Sequence, residues 1–155
     1  MRLADIMSSE VKTIGPSASV AEARSLMGAS AVHHLVVIEG GLVVGVVSDR
    51  DLGGRVSAGR ADADAARIED VMSPHVVSMG PDATVRQAAN RLRGRGIGCL
   101  AVMEDGRLRG IVTTTDLLEL IGRGVERPIE RSTRWTLRSR GARGGQPQAR
   151  HARRS

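Results

Sequence analysis

The sequence is almost without aromatic side chains. Its 155 residues include no Phe, no Tyr and one Trp, Trp135. A core must therefore be built from Val, Leu, Ile, Met and Ala, and any bound purine would lie between aliphatic side chains and not on a stacked ring. The length suits one compact domain with a sizeable core.

Cysteine and long apolar runs are also scarce. Cys99 is the only cysteine, which excludes an internal disulfide and a cysteine metal cluster, so we predict that Cys99 is a small buried apolar residue. The chain has no run of 18 apolar residues and no charged-then-apolar N-terminal signal pattern. These absences predict a cytoplasmic protein with no membrane contact and no metal site.

Positive charge is concentrated at one end of the chain. Residues 1–122 carry 13 basic and 15 acidic side chains, whereas residues 123–155 carry 10 arginines against Glu126 and Glu130. This Arg-rich tail has almost no apolar side chains, so burial cannot compensate for the entropy lost on ordering. We predict that it is disordered.

The chain repeats itself at a spacing of 65 residues. The stretch Gly45–Leu52 recurs as Gly110–Leu117, and much of the preceding sequence recurs with it. Each unit is too small to bury a full core alone. We therefore predict an α/β (α+β) fold in which residues 1–65, including a linker, and residues 66–122 pack about a pseudo-twofold axis. Identical pairs include Asp5 and Asp70, Met7 and Met72, Ser8 and Ser73, Gly45 and Gly110, and Asp51 and Asp116.

Each unit is predicted to contain a capped helix followed by a β-hairpin. A Ser or Thr with Glu or Gln three positions later predicts a helix N-terminus, and alternating β-branched runs around a Gly turn predict the hairpin. The predicted capping boxes are Ser19 with Glu22 and Thr84 with Gln87, and the predicted helix ends are Gly28 and Gly94.

Each hairpin leads into a second capped helix. Ser48 with Asp51, and Thr113 with Asp116, place a hydroxyl and a carboxylate where they would cap a helix that follows directly on a strand. The same helix N-terminus attracts phosphate through its unpaired amides and dipole, and the Asp could accept from a ribose hydroxyl. A plain helix cap and a nucleotide site are both compatible with this pattern.

The order of these features resembles the cystathionine-β-synthase (CBS) motif, and two in tandem resemble a Bateman module. The resemblance covers roughly residues 1–122. It implies a regulatory, ligand-sensing, non-enzymatic module: a disc with two clefts, each taking an adenosine-containing molecule such as AMP, ADP, ATP, NAD or S-adenosylmethionine, with no required cofactor. Such discs commonly pair, which implies a homodimer that acts on a regulated protein still to be found. The residues that carry the resemblance are Asp5-Ile6-Met7, Val11, Thr13-Ile14, Pro16, His33 with Leu35-Val36-Val37, and Gly45 to Leu52.

The resemblance also implies site residues at the matching positions. In the first copy, Thr13 and Ile14 match the strand that touches ribose and base, Val32 matches the wall of the base pocket, and Ser48 and Asp51 match the pair that binds ribose. The equivalents in the second copy are Ser78, Met79, Ile97, Thr113 and Asp116.

Phosphate contacts are predicted to differ between the copies. His33-His34 resembles a dipeptide that reaches phosphates in the nucleotide-sensing subunit of the AMP-activated kinase. The second copy has Gly98-Cys99 there, and Arg50 has Thr115 as its counterpart. A phosphate-bearing ligand is therefore predicted to prefer the site that contains Asp51, through His34 and Arg50.

Two other classes of function are alternatives to a ligand-sensing module. The alternative is binding of nucleic acid or an acidic partner through the Arg-rich tail, with the CBS pair as a dimerisation scaffold; without interleaved aromatics, stacking on single strands is disfavoured. An enzyme is disfavoured because the sequence shows no catalytic triad, no paired general acid and base, and no metal constellation.

Overall fold

A computed structural model describes residues 1–54 and 63–124, which fold into two copies of one α+β arrangement. Residues 55–62, which include the first part of the predicted linker (residues 56–67), and residues 125–155, which form most of the predicted tail, lie outside the described residues. The elements of the first copy are β1 (Thr13–Ile14), α1 (Val20–Ser30), β2 (His34–Glu39), β3 (Leu42–Ser48) and α2 (Asp49–Gly54). A short α3 (Ile68–Val71) precedes the second copy, which consists of β4 (Ser78–Met79), α4 (Val85–Arg95), β5 (Cys99–Glu104), β6 (Arg107–Thr113) and α5 (Thr114–Gly122).

Each copy forms its own three-stranded sheet, in the order β1-β2-β3 or β4-β5-β6. The outer short strand runs parallel to the middle strand, and the middle strand forms an antiparallel hairpin with the last. Both hairpins shift register at the same place, after Val37 in β2 and after Val102 in β5. The predicted hairpins and the twofold repetition of the fold are confirmed.

The predicted capping boxes form as expected. Glu22 Oε2 accepts from Ser19 N at 2.6 Å, and Ser19 Oγ accepts from Glu22 N at 3.2 Å. Thr84 and Gln87 repeat this exchange at the start of α4. The hydrogen bonds from the Ser19 backbone and side chain also lower the pKa of Glu22.

The predicted helix ends at Gly28 and Gly94 are wrong, because α1 and α4 continue past both glycines. The helices end instead where the backbone turns left-handed, at Ala31 (φ 52°) and Gly96 (φ 63°). A left-handed residue is the common way to end a helix, and the turn into β2 or β5 needs it at these positions. A glycine inside a helix only weakens it.

The core consists of three clusters, because the middle strands are buried on both faces. Alternate residues of a strand point to opposite faces, so Leu35 and Val37 of β2 face the first helices while Val36 faces the other sheet. Cys99 of β5 and Ile111 of β6 meet Val36 in the cluster between the sheets. The continuous apolar run of β2 is explained by this double burial.

The short segment before each β1-type strand packs in the opposite copy. Leu3 is fully buried in the core of the second copy, and its N–H donates to Ala83 O at 2.8 Å. Ile68 is fully buried in the core of the first copy, and its N–H donates to Ala18 O at 2.9 Å. We call residues 1–8 and 66–73 the exchanged segments.

The end of each exchanged segment pairs with the hairpin of the copy it has joined. Ser8 and Ile111 exchange backbone hydrogen bonds, as do Ser73 and Val46. In each hairpin, the residue before the one that makes these hydrogen bonds is a glycine, Gly110 or Gly45. A Cβ built on Gly45 would lie 2.5 Å from Met72 Sδ. This close approach gives a structural reason for the identical Met, Ser and Gly at both places. The division of the two sequence repeats between residues 65 and 66 stays a prediction.

Candidate functional site

The two carboxylates predicted as site residues are both helix caps. Asp51 Oδ2 accepts from Ser48 N at 2.9 Å and from Ser48 Oγ at 2.8 Å. Asp116 Oδ2 accepts from Thr113 N at 2.7 Å and from Thr113 Oγ1 at 2.8 Å. The hydroxyls in turn accept from the backbone N–H of the aspartates. The capping interpretation is therefore correct for one oxygen of each carboxylate.

The second oxygen of each carboxylate is available. Oδ1 of Asp51 and Oδ1 of Asp116 accept no hydrogen bond from residues 1–54 or 63–124. Both side chains are only half-buried, and each lines a surface cleft. A carboxylate held by its cap presents its free oxygen in a fixed orientation, so a ligand hydroxyl can bind without ordering the side chain first.

One cleft, of about 250 Å³, contains Asp51, and we call it the Asp51 cleft. The first copy contributes the end of β3 and the start of α2, and the second copy contributes the loops before β4 and β5. Its lining residues are His34, Val46, Ser48, Arg50, Asp51, Ser73, His75, Val76, Val77, Gly96, Ile97, Gly98 and Cys99.

The other cleft, of about 230 Å³, contains Asp116, and we call it the Asp116 cleft. It is built from the corresponding segments with the copies interchanged. Its lining residues are Ser8, Glu10, Val11, Lys12, Ala31, Val32, His33, His34, Ile111, Thr113, Thr115, Asp116 and Glu119.

Each cleft contains predicted site residues from both repeats. Ile97 of the second repeat lies in the Asp51 cleft, and Val32 of the first repeat lies in the Asp116 cleft. The reason is the packing of the two sheets against each other through Val36 and Ile111, which brings the helix start of one copy beside the loops of the other. Each cleft is therefore composed of both copies.

Four of the predicted site residues line neither cleft: Thr13, Ile14, Ser78 and Met79. Ile14 packs against the first core cluster and Met79 against the second. Thr13 and Ser78 are exposed on the short strands β1 and β4. Their roles in ligand binding stay a prediction, whereas their immediate neighbours Lys12 and Val77 do line the clefts.

The two clefts differ in charge. The Asp51 cleft is lined by one cation, Arg50, and one carboxylate, and Arg50 forms no ion pair within the described part of the chain. The Asp116 cleft is lined by Lys12 but also by two further carboxylates, Glu10 and Glu119. The charged side chains that line the Asp116 cleft therefore sum to a more negative charge than those of the Asp51 cleft, although Glu119 also pairs with Arg123 at 3.1 Å.

His34 lies between the clefts and lines both. A Cβ built on Gly98 would lie 3.0 Å from His34 Nε2, so the ring packs against the backbone of the other copy. Burial lowers the pKa of His34 below its ordinary value of 6.5, and the nearby Asp49 carboxylate opposes this shift only in part. The imidazole is thus uncharged at neutral pH.

Cys99 is buried, as predicted, in the cluster between the sheets. Burial raises the pKa of its thiol to about 12, and the Asp51 carboxylate adds to the shift. The nucleophilic form of cysteine is the thiolate. At neutral pH Cys99 therefore acts as a small apolar wall residue.

The sequence interpretation missed the segments that precede β1 and β4. Glu10 and Lys12 line the Asp116 cleft, and His75 and Val77 occupy the corresponding places in the Asp51 cleft. The spacing of 65 residues relates these positions in pairs, Glu10 to His75 and Lys12 to Val77. A comparison of the charges at repeated positions would have found them.

Among residues 1–54 and 63–124, no helix is long and apolar enough to span a membrane. The same residues contain no group of three or more His, Cys, Asp or Glu side chains placed to hold a metal ion.

The sequence and the fold both match known proteins. The model of the CBS domain family matches residues 3–55 and 68–123. The CBS domain-containing protein YhcV of Bacillus subtilis is 32% identical over 113 residues, which cover 73% of this chain and 80% of that protein. This chain therefore belongs to the CBS domain family, as a tandem pair.

An enzyme and a solved CBS domain pair are also similar to this chain. A homoserine O-acetyltransferase of Methanococcoides burtonii is 33% identical over 122 residues, which cover 77% of this chain but 24% of that enzyme. This chain thus spans about a quarter of that enzyme. A solved CBS domain pair in complex with 5′-methylthioadenosine and S-adenosyl-L-methionine is 25% identical, with a TM-score of 0.73, and the match covers 80% of this chain and 98% of that one.

Proposed function

We propose that this protein is a regulatory module that binds an adenosine-containing molecule in its clefts, catalyses no reaction itself, and passes the effect to a protein that it regulates. The observation that carries the proposal is the pair of capped carboxylates, each with one oxygen committed to a helix N-terminus and the other available in a cleft. Ribose hydroxyls donate to such an oxygen. The related CBS pair that holds two adenosine derivatives supports this choice of ligand.

The walls of the Asp51 cleft suit a purine. Val76, Val77 and Ile97 line it with aliphatic surface, and no Phe, Tyr or Trp occurs among residues 1–124. A flat apolar base is stabilised by removing its faces from water against such side chains. The Asp116 cleft offers Val11, Val32 and Ile111 in the same way.

The identity of the ligand can be found by a thermal-shift screen of AMP, ADP, ATP, NAD and S-adenosylmethionine. A ligand that binds only the native state stabilises it by about 2.7 kcal/mol at a hundredfold excess over its Kd. We expect at least one of these compounds to raise the melting temperature. No shift with any of them would contradict an adenosine ligand.

The first prediction tests the carboxylates through Asp51→Asn and Asp116→Asn. Asparagine keeps a carbonyl oxygen for the helix cap but presents an NH₂ group in place of the available oxygen, so the cap survives and the charged acceptor is lost. We expect calorimetry with the ligand from the screen to show the affinity of the altered cleft weakened by about 1.5–3 kcal/mol, with little change in melting temperature.

Glu22→Gln is the matched control for these variants. It removes the same charge from the same kind of capping box, at the start of α1 and outside both clefts. We expect its ligand affinity to equal that of the unaltered protein. If both Asp→Asn variants also bind normally, the carboxylates serve only as helix caps.

The second prediction is a preference of phosphate-bearing ligands for the Asp51 cleft. Because His34 is uncharged at neutral pH, we assign the preference to Arg50 and to the carboxylates of Glu10 and Glu119 in the other cleft. Adenosine should distinguish the clefts little, whereas ADP should bind more tightly to Asp116→Asn, which retains the Asp51 cleft, than to Asp51→Asn. Added salt should narrow this gap.

Two substitutions separate the charges that produce the preference. Arg50→Gln should weaken ADP binding in the Asp51 cleft and leave adenosine binding unchanged, and Glu10→Gln should strengthen ADP binding in the Asp116 cleft. Equal ADP affinities for the two single-cleft variants would show that these charges do not select the ligand.

We propose in addition that the chain forms a homodimer through α5. This helix contains no buried residue, and its Leu118 and Ile121 side chains are 67% and 50% exposed. A second copy of the same helix would cover them in a closed twofold dimer.

Leu118→Glu should then shift the mass measured by light scattering from dimer to monomer. Leu42→Glu, at an equally exposed leucine of the β3 hairpin, should not change it.

A further inference from the structure

Helix α4 has a concentration of positive charge that its counterpart α1 lacks. Its sequence contains four arginines and no acidic residue. All four side chains are exposed, and none forms an ion pair with a residue in the described ranges. We call this surface the arginine face, formed by Arg86, Arg91, Arg93 and Arg95.

An open groove of about 460 Å³ runs along one side of the arginine face. Arg91 and Arg95 lie one helical turn apart on it. The other residues that line the groove are two with side-chain amides, one glycine and one methionine of β4. Its lining residues are Met79, Gln87, Asn90, Arg91, Gly94 and Arg95.

The groove presents donors more than acceptors. Arginine has five N–H donors and no acceptor. Gln87 Oε1 is occupied by the helix cap, since it accepts from Thr84 N at 2.8 Å and from Thr84 Oγ1 at 3.0 Å. The part of Gln87 left for a partner is therefore its NH₂ group. A surface of cations and amide donors is complementary to an anion with many oxygen acceptors.

The fold does not require these arginines. α1 has the same length, the same capping box and the same position in its copy, yet Glu22, Leu26 and Ser30 stand where α4 has Gln87, Arg91 and Arg95. The repeat thus builds the same helix without the charges. Like charges within one helix also repel one another, so α4 carries them at some cost to its stability.

The chemistry of this face favours phosphate over a protein surface. Protein interfaces usually have an apolar, fully buried centre, but α4 has no large exposed apolar side chain among its described residues. Contacts to a nucleic-acid backbone require only cations and donors. Stacking on single strands needs aromatic side chains, and residues 1–124 contain none.

We propose that the arginine face of α4 binds the phosphate backbone of a double-stranded nucleic acid, independently of its base sequence. The proposal adds a second binding surface, distinct from the adenosine clefts, and does not depend on them. It also differs from binding through the Arg-rich tail, because the arginines in question belong to the folded part.

The test compares two double variants of the full chain, both of which keep the tail. Arg91→Gln with Arg95→Gln removes two charges from the groove, and Arg107→Gln with Arg109→Gln removes two exposed charges from the β6 hairpin. Binding of a fluorescein-labelled duplex DNA is measured by anisotropy over a range of salt concentrations. The slope of log K against log salt should become shallower by about 1.8 for the groove variant, if each arginine contacts one phosphate, and should change little for the hairpin variant.

Several outcomes would overturn the proposal. Equal losses in the two variants would mean that only net charge matters, and no duplex binding at low salt would remove the ligand class altogether. Tighter, α4-dependent binding of polyglutamate than of the duplex would identify an acidic protein as the partner instead. Arg91→Lys with Arg95→Lys checks the cause of a loss in the Gln variant: it keeps both charges, so it should retain the wild-type salt slope, and a slope as shallow as that of the Gln variant would contradict a contact made through charge.

Discussion

His34 lies where the two copies meet. Its ring packs against Gly98 and borders both clefts. The equivalent position in the second copy is Cys99, which is also buried and uncharged at neutral pH. One titratable ring therefore lies beside both clefts, and a positive charge on it at acid pH affects both of them.

The third prediction follows from the pKa of His34. Because burial lowers that pKa in the folded protein, the unfolded chain takes up the proton first as the pH falls. The contribution of His34 to stability is complete above its unfolded pKa of about 6.5, decreases as the pH falls below that value, and levels off below the folded pKa. Urea unfolding at a series of pH values should show this decrease.

His34→Gln should remove this part of the pH dependence. His33→Gln is the control, because His33 is an exposed neighbour that pairs with Asp49 at 2.9 Å on the surface. If the free energy of unfolding of the two variants changes with pH in the same way below pH 7, the burial of His34 is not the cause of the loss of stability.

At the scale of elements, the contact between a hairpin and an exchanged segment depends on a glycine. A Cβ at Gly45 would approach Met72 Sδ to 2.5 Å and Ser73 O to 3.1 Å, and one at Gly110 would approach Met7 Sδ to 2.8 Å and Ser8 O to 3.0 Å. The methionine can move, but the carbonyls are held by the backbone hydrogen bonds of each bridge.

The fourth prediction is that Gly45→Ala and Gly110→Ala each lower the free energy of unfolding by about 1–3 kcal/mol, the usual cost of overpacking. Gly28→Ala is the matched control. It lies inside α1 with nothing within 4 Å of the added carbon, so it should be neutral or stabilising by up to about 1 kcal/mol. Chemical denaturation measures all three, and a loss as large in Gly28→Ala would remove the role of the close contact.

The elements themselves could be predicted because their signals are local. Ser19 with Glu22 defines a helix start whatever the rest of the chain does, and the Gly turns define the hairpins. The exchange of Leu3 and Ile68 could not be predicted in this way. The two segments are nearly the same in sequence, so either one satisfies the apolar requirement of either core, and the choice is made by chain geometry that a pattern does not contain.

The clefts belong to the scale of the whole molecule, and the sequence predicts their parts better than their assembly. The Ser48–Asp51 and Thr113–Asp116 pairs could be found, because a cap and its carboxylate are three residues apart. The partners across each cleft, such as Ile97 for Asp51, come from a segment about 45 residues away. They meet only because the sheets pack face to face, which depends on all three core clusters at once.

The fifth prediction concerns the integrity of the pair. A chain divided within residues 55–62 yields a first fragment without Ile68 and a second fragment without Leu3, both fully buried in the intact protein. Loss of one such side chain costs about 2–5 kcal/mol, a large part of a domain's stability. We expect neither fragment to unfold cooperatively alone and an equimolar mixture to regain a single transition in circular dichroism. A cooperative transition in either isolated fragment would contradict this.

The exchanged segments also fix when the protein can fold as it is made. Leu3 leaves the ribosome roughly 100 residues before its partners Leu100 and Val112, which corresponds to about 5–20 s at usual rates of synthesis. The first copy can close its core once Ile68 and Val71 emerge, whereas residues 1–8 stay exposed until the second hairpin is complete. Residues 1–8 are thus translated before both hairpins and are nevertheless among the last to reach their final position.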